Sequence, residues 1–281
     1  MKNDLHFVSF GGGGLRYRRA LSRLQTEIRK LAPTAKVWLF DDEIAIEAIE
    51  GLGCDLGTFA ERHPKGYGLW VWKPWIINRV LDQVEDGSTV FYLDSGCTVH
   101  LSADSRTRFD SYRDHLLQVK FLFFQQKHAE ISWTKKEVLT LFALDDHQLL
   151  SGQAIGGIQG YLVNQETRHF VRSWLDYCTR ESGRYLLDVE LRHLESDRFK
   201  DHRHDQSVLS CLIKSKGISM LEDETFFYPY WNRDGASFPF WATRKCSGIP
   251  SWMGYYAPRA WPWVALSRLR GKPLTPLLET N

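Results

Sequence analysis

The segment VFYLDSG, residues 90–96, places a carboxylate directly after a run of apolar residues. An acid at the carboxyl end of a buried strand lies where α/β folds bind their ligands. At that position Asp94 can hold a divalent cation, and the cation in turn can neutralise a diphosphate. The alternative is structural, with Asp94 capping the turn before Gly96, and an isolated aspartate more often has that role.

A lysine among aromatic residues lies upstream of this acid, in the segment YGLWVWKPWII, residues 67–77. Near a helix start, the Lys73 ammonium can meet a phosphate or a carboxylate. The alternative is that the tryptophans anchor the helix while the lysine extends along them and carries its charge to solvent.

A third polar cluster, HRHDQS at residues 202–207, lies just before a predicted helix. Its side chains can serve as metal ligands, with His204 as the candidate, or hold a reacting sugar. The alternative is a capped helix start, in which Asp205 is the N-cap and the histidines are solvated. A zinc site is not supported, because no second pair of ligands with zinc spacing occurs elsewhere in the chain.

Glycines mark two further segments. FGGGG, residues 10–14, ends an apolar run, and GQAIGGIQGY, residues 152–161, mixes glycines with larger residues. Small residues let a ligand approach the backbone closely. The alternatives are a plain turn for the first segment and a glycine-weakened strand for the second.

Strands and helices alternate along the first hundred residues. We expect these elements to position the candidate site residues. Short apolar runs with glycine stops predict strands, and apolar residues at helical spacing predict helices. The alternation predicts a parallel α/β sheet with a ligand crevice at the carboxyl ends of its strands. The predicted elements are strands over 5–10, 36–40 and 89–93 and helices over 15–31, 43–50 and 69–84, the last with Pro74 in its first turn.

Beyond residue 100 the pattern predicts strands over 121–125, 155–163 and 218–221 and helices over 134–142, 165–181 and 206–216. Thr134 is the expected cap of the first of these helices, and Gly217 is the expected stop of the last. We therefore expect an α/β domain over residues 1–225, followed by an irregular segment over 226–281 that is rich in aromatic residues, proline and glycine.

Within that segment, residues 255–276 interleave tyrosines and tryptophans with basic residues and contain no acid. This mixture suits a membrane interface, where tryptophan lies at the headgroups and each basic residue near an anionic surface contributes about 1 kcal/mol. The alternative is that these tryptophans pack on the domain and close an acceptor cleft. Four prolines interrupt any long amphipathic helix here and favour this alternative.

The composition of the 281 residues excludes several classes of protein. Hydrophobic and charged fractions of 43% and 25% are ordinary for a soluble domain, and a net charge of +2 does not indicate a nucleic-acid partner. Five cysteines without a CxxC pair predict reduced thiols. With no visible secretory signal and no apolar run near about 20 residues, we expect a cytoplasmic protein, soluble or peripheral at the inner face of the cell membrane.

Taken together, the four segments 67–77, 90–96, 152–161 and 202–207 resemble glycosyltransferases of the GT-A fold, notably bacterial polysaccharide enzymes and, more distantly, the family-eight retaining galactosyl- and glucosyltransferases. The resemblance covers residues 5–221, and YGLWVWKPWII ahead of VFYLDSG is its most specific part. It implies a mixed, mainly parallel sheet flanked by helices. Two motifs depart from family eight: Gly96 stands at the second acid of the Asp-x-Asp motif, and the C-terminal His-to-Lys-Pro-Trp motif is absent.

The resemblance also implies an activity, namely transfer of a hexose from a nucleotide sugar, a UDP-sugar, to a hydroxyl of a glycan or lipid-linked glycan in cell-surface polysaccharide synthesis. Retention of anomeric configuration would follow from the likeness to family eight, and inversion with Asp205 as general base is the alternative. The residues implied for the donor are Asp94 and His204 for Mn²⁺, Phe10, Gly11 and Ser95 for the nucleotide, Arg16, Lys73 and Arg203 for the diphosphate, and Asp205 and Gln206 beside the anomeric carbon.

Two other functions fit parts of the pattern. The glycine run after the first strand suggests a Rossmann oxidoreductase, but Gly11–Gly14 followed by Leu15 lacks the GxGxxG spacing. An aromatic fraction of 14% suits either an aromatic core or the sugar-binding surface of a non-catalytic carbohydrate-binding protein.

Overall fold

The computed structural model of the protein describes residues 4–246, in which strands and helices alternate as the sequence pattern predicts. The strands are β1 Leu5–Phe10, β2 Lys36–Phe40, β3 Thr89–Leu93, β4 Thr98–Val99, β5 Phe121–Leu122, β6 Phe124–Ala129, β7 Gly152–Ala154, β8 Ile158–Leu162, β9 Leu221–Glu222 and β10 Phe240–Trp241. The helices are α1 Leu15–Leu31, α2 Leu56–Arg62, α3 Gly66–Leu69, α4 Trp72–Gln83, α5 Ala103–Val119, α6 Glu130–Trp133, α7 Lys136–Leu141, α8 Asp146–Leu150, α9 Gln165–Gly183, α10 His204–Ser215 and α11 Trp231–Asp234.

A five-stranded sheet with the order β2-β1-β3-β8-β5 forms the centre of the fold. β1 pairs in parallel with β2 and with β3, whereas β8 pairs antiparallel with β3 and with β5. Thus β8 alone in this sheet runs opposite to its neighbours. The predicted mixed, mainly parallel α/β sheet flanked by helices is confirmed.

The two faces of this sheet are covered by different helices, because successive strand side chains point to opposite sides. Phe7 and Phe91 pack on one face with α1 and α5, and Val8 and Tyr92 pack on the other with α4, α9 and α10. Burying each such side chain contributes about 1.5–3 kcal/mol. This packing fixes the edge at which β1 and β3 end.

Three local predictions were wrong in detail. The expected helix over 43–50 is a 3₁₀ turn over Asp42–Ile46, which the Asp41 side chain caps. Thr134 does not cap α7; its hydroxyl donates to Glu130, a carboxylate that is fully buried and needs partners there. The expected strand over 121–125 divides into β5 in the central sheet and β6 in a small sheet with β7 and β9.

The chain after residue 225 returns to the core within the described range. β10 pairs antiparallel with β4, and the Phe240 ring lies among the rings of Phe7, Phe91 and Phe109. The aromatic and basic stretch over 255–276 lies outside the described residues. Within residues 4–246, no helix is both long enough and apolar enough to cross a membrane.

Candidate functional site

The carboxyl ends of β1 and β3 meet at one edge of the central sheet. The two strands pair in register with Val8 beside Tyr92, and the Ser9 hydroxyl donates to the Leu93 carbonyl at 2.7 Å. Phe10 and Asp94, the residues that end and follow these strands, therefore lie at the same edge. This is the crevice position at which α/β folds bind ligands.

At this edge the Lys73 ammonium lies between two carboxylates. Its Nζ is 2.9 Å from Asp205 Oδ2 and 3.5 Å from Asp94 Oδ1. The Lys73 and Asp205 side chains are each 4% exposed, whereas that of Asp94 is 37% exposed. The structure thus brings together three residues from three separate predicted motifs. The Lys73–Asp205 pair is buried, whereas Asp94 is accessible to solvent.

A strained segment delivers Lys73 to this position. Tyr67, Leu69 and Trp70 all have positive φ, at 54°, 52° and 60°, before α4 begins. Such backbone costs of order 1–3 kcal/mol per residue and persists where the surroundings hold it. Here the Trp72 indole donates to the Gly66 carbonyl at 3.0 Å, and the Phe10 ring stacks on Trp72 at 4.0 Å between centroids.

Asp205 does not cap its helix, contrary to one sequence-based alternative. α10 begins at His204 with no side-chain cap, and the Asp205 carboxylate turns to Lys73 instead. Burial raises the pKa of Asp205 to about 6 although Lys73 favours its charged form. Its Oδ2 accepts no well-aligned hydrogen bond, so the ion pair alone compensates that oxygen. Burial alone would lower the pKa of Lys73, but Asp205 and Asp94 outweigh it and the pKa is raised.

Asp94 accepts a hydrogen bond from a tyrosine and lies close to the backbone of a glycine. The Tyr92 hydroxyl donates to Asp94 Oδ1, and burial followed by the Asp94 charge raises the pKa of Tyr92, so the phenol remains a donor. A Cβ on Gly157 would lie 2.6 Å from Asp94 Oδ2. The glycine segment 152–161 therefore leaves room for this carboxylate. Ser95 is buried, and its carbonyl accepts from Arg23 at 2.9 Å.

A row of amides continues from Asp205 toward a guanidinium. The Gln206 amide donates to Gln153 Oε1 at 2.7 Å, and the Gln126 amide reaches the same oxygen at 3.3 Å. Arg203 donates to Gln126 Oε1 at 2.8 Å and stacks over the Trp133 ring at 3.9 Å. The sequence motifs include Gln206 and Arg203. The segment 152–161 was singled out for its glycines rather than for Gln153, and no motif indicates Gln126.

The glycine turn after β1 has its own polar partners. The Gly13 amide donates to Asp42 Oδ1 at 2.5 Å, and Arg18 binds the same carboxylate at 2.8 Å. Gly11 is needed for packing, because a Cβ there would lie 2.7 Å from Leu21 Cβ on α1. Arg16 is exposed and donates to the Tyr17 hydroxyl at 2.7 Å. Nucleotide binding by Phe10, Gly11 and Arg16 stays a prediction.

The described residues do not fit a divalent metal held by protein ligands. Residues 4–246 contain no group of three or more histidine, cysteine, aspartate or glutamate side chains arranged as a ligand set. The His204 ring faces other residues: its Nδ1 lies 2.7 Å from the Leu186 carbonyl, its Nε2 lies 3.7 Å from Asp188 Oδ1, and the ring stacks on Trp70. Asp94 already has the Lys73 ammonium beside it.

Neither a protein-family model nor a curated protein sequence matches this chain. Solved structures that resemble it include the following three. Mouse xyloside xylosyltransferase 1 is 11% identical, with a TM-score of 0.43, over 88% of this chain and 100% of that one. A glycosyltransferase involved in glycosylation of the major capsid of PBCV-1 is 12% identical, with a TM-score of 0.43, over 84% and 92%. The galactosyltransferase LgtC is 13% identical, with a TM-score of 0.47, over 96% and 97%. The solved structures to which this chain is similar thus include three glycosyltransferases.

Proposed function

We propose that this protein transfers a hexose from a nucleotide sugar, a UDP-sugar, to a hydroxyl group of a glycan acceptor. The observation that carries the proposal is the Lys73 ammonium between Asp94 and Asp205 at the carboxyl end of β3. A buried cation beside a part-exposed acid suits a ligand that has both hydroxyl groups and negative charge. A sugar attached to a diphosphate is such a ligand.

The surroundings of each side chain suggest its role. Asp94 is open enough to accept hydrogen bonds from hydroxyl groups of the donor. Gln206 is part-exposed and lies against Gly156, next to the glycine that faces Asp94. Lys73 fixes the Asp94 carboxylate, and Asp205 fixes Lys73 from behind. This proposal moves Asp205 from its expected place beside the anomeric carbon to a positioning role.

Burial of Asp205 also supports retention of anomeric configuration. A general base must come within about 2.6–3.2 Å of the acceptor hydroxyl whose proton it takes. With 4% of its side chain exposed and Lys73 in front of it, Asp205 is poorly placed for that task. Proton NMR of the product's anomeric centre tests this point, and an inverted product would contradict it.

Two alternative functions are less well supported. In a dinucleotide-binding site the glycine-turn amides face a pyrophosphate; here the Gly13 amide is bonded to Asp42. A protein that only binds carbohydrate has no need to bury an ion pair, which costs several kcal/mol of desolvation per ion.

The direct test is turnover of nucleotide sugars by the full-length protein. UDP-, GDP- and CMP-sugars would be supplied with a panel of oligosaccharide acceptors, and release of the nucleotide would be measured. We expect UDP release from a UDP-hexose that rises with acceptor and is lost in Asp94→Asn. Asp110→Asn is the matched control, because that side chain is 71% exposed on α5. Sugar binding without turnover of any donor would reject the proposal in favour of a carbohydrate-binding protein.

A lipid-linked acceptor at the inner face of the membrane remains a separate proposal, which rests on the composition of residues 255–276. Full-length protein and a variant that lacks residues 257–281 would be sedimented with anionic liposomes at low salt. We expect co-sedimentation only for the full-length chain. Absence of co-sedimentation at any salt concentration would reject the membrane contact.

A further inference from the structure

A second buried ion pair joins the start of α6 to the end of α10. The Glu130 side chain is fully buried, and its Oε2 lies 2.9 Å from Lys214 Nζ, on a side chain that is 4% exposed. Glu130 also accepts a hydrogen bond from the Ser210 hydroxyl and another, at 2.5 Å, from the Thr134 hydroxyl. Burying each ion of such a pair costs several kcal/mol of desolvation. A further donor to this buried carboxylate is Gln153, at 3.1 Å.

Glu130 decides which way the Gln153 amide faces. Gln153 is fully buried in β7, and its Nε2 donates to Glu130 Oε1 at 3.1 Å and to the Thr134 hydroxyl at 3.0 Å. The oxygens of the Trp133 carbonyl and the Ser207 hydroxyl lie 3.3 Å from the same nitrogen. A carboxylate can only accept hydrogen bonds. The nitrogen of Gln153 must therefore face Glu130, and its carbonyl oxygen must face away.

The Gln153 carbonyl in turn decides which way the Gln206 amide faces. Gln153 Oε1 accepts from Gln206 Nε2 at 2.7 Å. The Gln206 carbonyl oxygen thereby turns toward Gly156, where an added Cβ would lie 3.3 Å from it. Gln206 is part-exposed, no donor among residues 4–246 reaches this oxygen, and the oxygen is not sealed from solvent. The free oxygen and the Asp94 carboxylate thus lie against adjacent glycines, Gly156 and Gly157.

A guanidinium fixes the other end of this row of amides. Gln126 Nε2 lies 3.3 Å from Gln153 Oε1, and Gln126 Oε1 accepts from Arg203 at 2.8 Å. A guanidinium can only donate, so the Gln126 oxygen must face Arg203 and its nitrogen must face Gln153. The Glu130 carboxylate and the Arg203 guanidinium therefore require the same orientation of Gln153. The two ends of an amide have nearly the same size, so these two charges, rather than shape, choose the orientation.

We propose that Glu130 and Gln153 are positioning residues, which hold the Gln206 carbonyl oxygen free to accept a hydrogen bond from a hydroxyl group of the transferred sugar. This inference rests on the proposed function. A reversed Gln206 amide would put a nitrogen where the oxygen stands, and the sugar hydroxyl could no longer donate there. Neither Glu130 nor Gln153 has to touch the sugar, because both act through Gln206.

The test is steady-state kinetics of nucleotide-sugar turnover by full-length Glu130→Gln and Gln153→Met variants. An amide can donate as well as accept, so Glu130→Gln no longer forces the Gln153 nitrogen to face it. Gln153→Met keeps a similar volume but removes the acceptor of the Gln206 nitrogen. We expect kcat/KM for the donor to fall about tenfold in each variant, as loss of one hydrogen bond to the sugar predicts.

Lys214→Met is the matched control, because it removes the other member of the same buried pair and leaves Glu130 Oε1 to accept from Gln153. We expect it to lose stability in urea unfolding, as Glu130→Gln does, but to keep a kcat/KM near the wild-type value. In a Gln206→Ala background, Glu130→Gln should cause no further loss of kcat/KM, since both changes remove the same contact with the sugar. Equal losses of kcat/KM in Lys214→Met, or additive losses in the double variant, would show a purely structural role and overturn the inference.

A second measurement does not depend on turnover. In protein that carries ¹⁵N-labelled glutamine, the side-chain amide signals of Gln206 are identified by their loss in Gln206→Ala. We expect these NMR signals to shift in Glu130→Gln and Gln153→Met and to stay in place in Lys214→Met, because only the first two variants change the acceptor of the Gln206 nitrogen. Unchanged signals in folded Glu130→Gln and Gln153→Met would overturn the inference while leaving glycosyl transfer intact.

The two measurements separate this inference from the proposed function. If no donor is turned over, the proposed function is rejected, and the amide signals still decide whether Glu130 orients Gln206. If Glu130→Gln does not fold, Gln153→Met takes its place in both measurements, with the same Gln206→Ala background and the same control.

Discussion

The turn after β3 and the start of α10 each bring a carboxylate to Lys73, but they do so in different surroundings. Asp205 lies 2.9 Å from the ammonium and is almost fully buried, whereas Asp94 lies 3.5 Å away and is 37% exposed. Asp94 accepts a hydrogen bond from Tyr92, and Asp205 Oδ2 accepts no aligned one. The two acids therefore have different roles. Asp205 positions Lys73, and Asp94 is accessible to a ligand.

The largest effect should come from removing the cation that both acids share. Lys73→Met leaves Asp205 buried without its partner, and loss of one member of a buried pair costs about 3–5 kcal/mol. We expect urea unfolding at pH 7 to show a loss of this size. Lys36→Met is the control, because its pair with Asp4 is exposed and worth about 0–1 kcal/mol. Equal losses of unfolding free energy in the two variants would show that Lys73 does not form a buried ion pair.

The next largest effect should be a loss of activity when the exposed acid, Asp94, is replaced. Asp94→Asn keeps the shape of the side chain but removes the charge that faces the crevice. We expect kcat/KM for the donor to fall about 10²–10³-fold, comparable to loss of one preorganised polar group in an active site. The melting temperature should stay within a few degrees of the wild type, since the side chain is part-exposed. Wild-type kinetics in this variant would remove Asp94 from the site.

The pH dependence of stability should identify the buried acid. Because the folded pKa of Asp205 is raised from 3.8 to about 6, between these values the folded state keeps a proton that the unfolded chain has released. Its contribution to stability is therefore most favourable below about pH 4 and falls by about 3 kcal/mol as pH rises through 6. Asp205→Asn should lose this dependence, so that its unfolding free energy improves relative to the wild type from pH 4 to pH 7.

The measurement is the difference in urea unfolding free energy between the two proteins at several pH values. Asp110→Asn corrects for the loss of a surface carboxylate. A difference that stays constant from pH 4 to pH 7, or changes in the opposite direction, would contradict the burial of Asp205.

A smaller loss of activity should follow when a larger residue at position 157 displaces the Asp94 carboxylate. Gly157→Ala would place a Cβ 2.6 Å from Asp94 Oδ2 and push the carboxylate aside. We expect kcat/KM to fall about tenfold, which corresponds to a cost of about 1.4 kcal/mol in the transition state, with little change in melting temperature. Gly156→Ala is the neighbouring comparison, because its Cβ would instead lie 3.1 Å from Gln206 Cβ. Unchanged kinetics in Gly157→Ala would mean that Asp94 does not need its present position.

The sequence predicted the parts of the fold that depend on neighbouring residues. β1, α1, β2 and β3 lie where apolar periodicity and glycine stops place them, because these patterns decide which face of a segment is buried. Lys73, Asp94 and Asp205 were each identified as candidates with a structural alternative. For Asp205 the capping alternative was wrong, since its carboxylate pairs with the buried Lys73 ammonium and leaves the helix start without a side-chain cap.

Local sequence patterns specify the set of elements and the residue types at their ends. Three features depend on how the whole chain packs: one lysine joins the two acids, β8 runs antiparallel to its neighbours, and Arg244 lies against Gly96. These contacts link residues far apart in the chain, so no local pattern encodes them. They are selected when the whole core packs, because burying a charge is tolerated only where an opposite charge arrives with it.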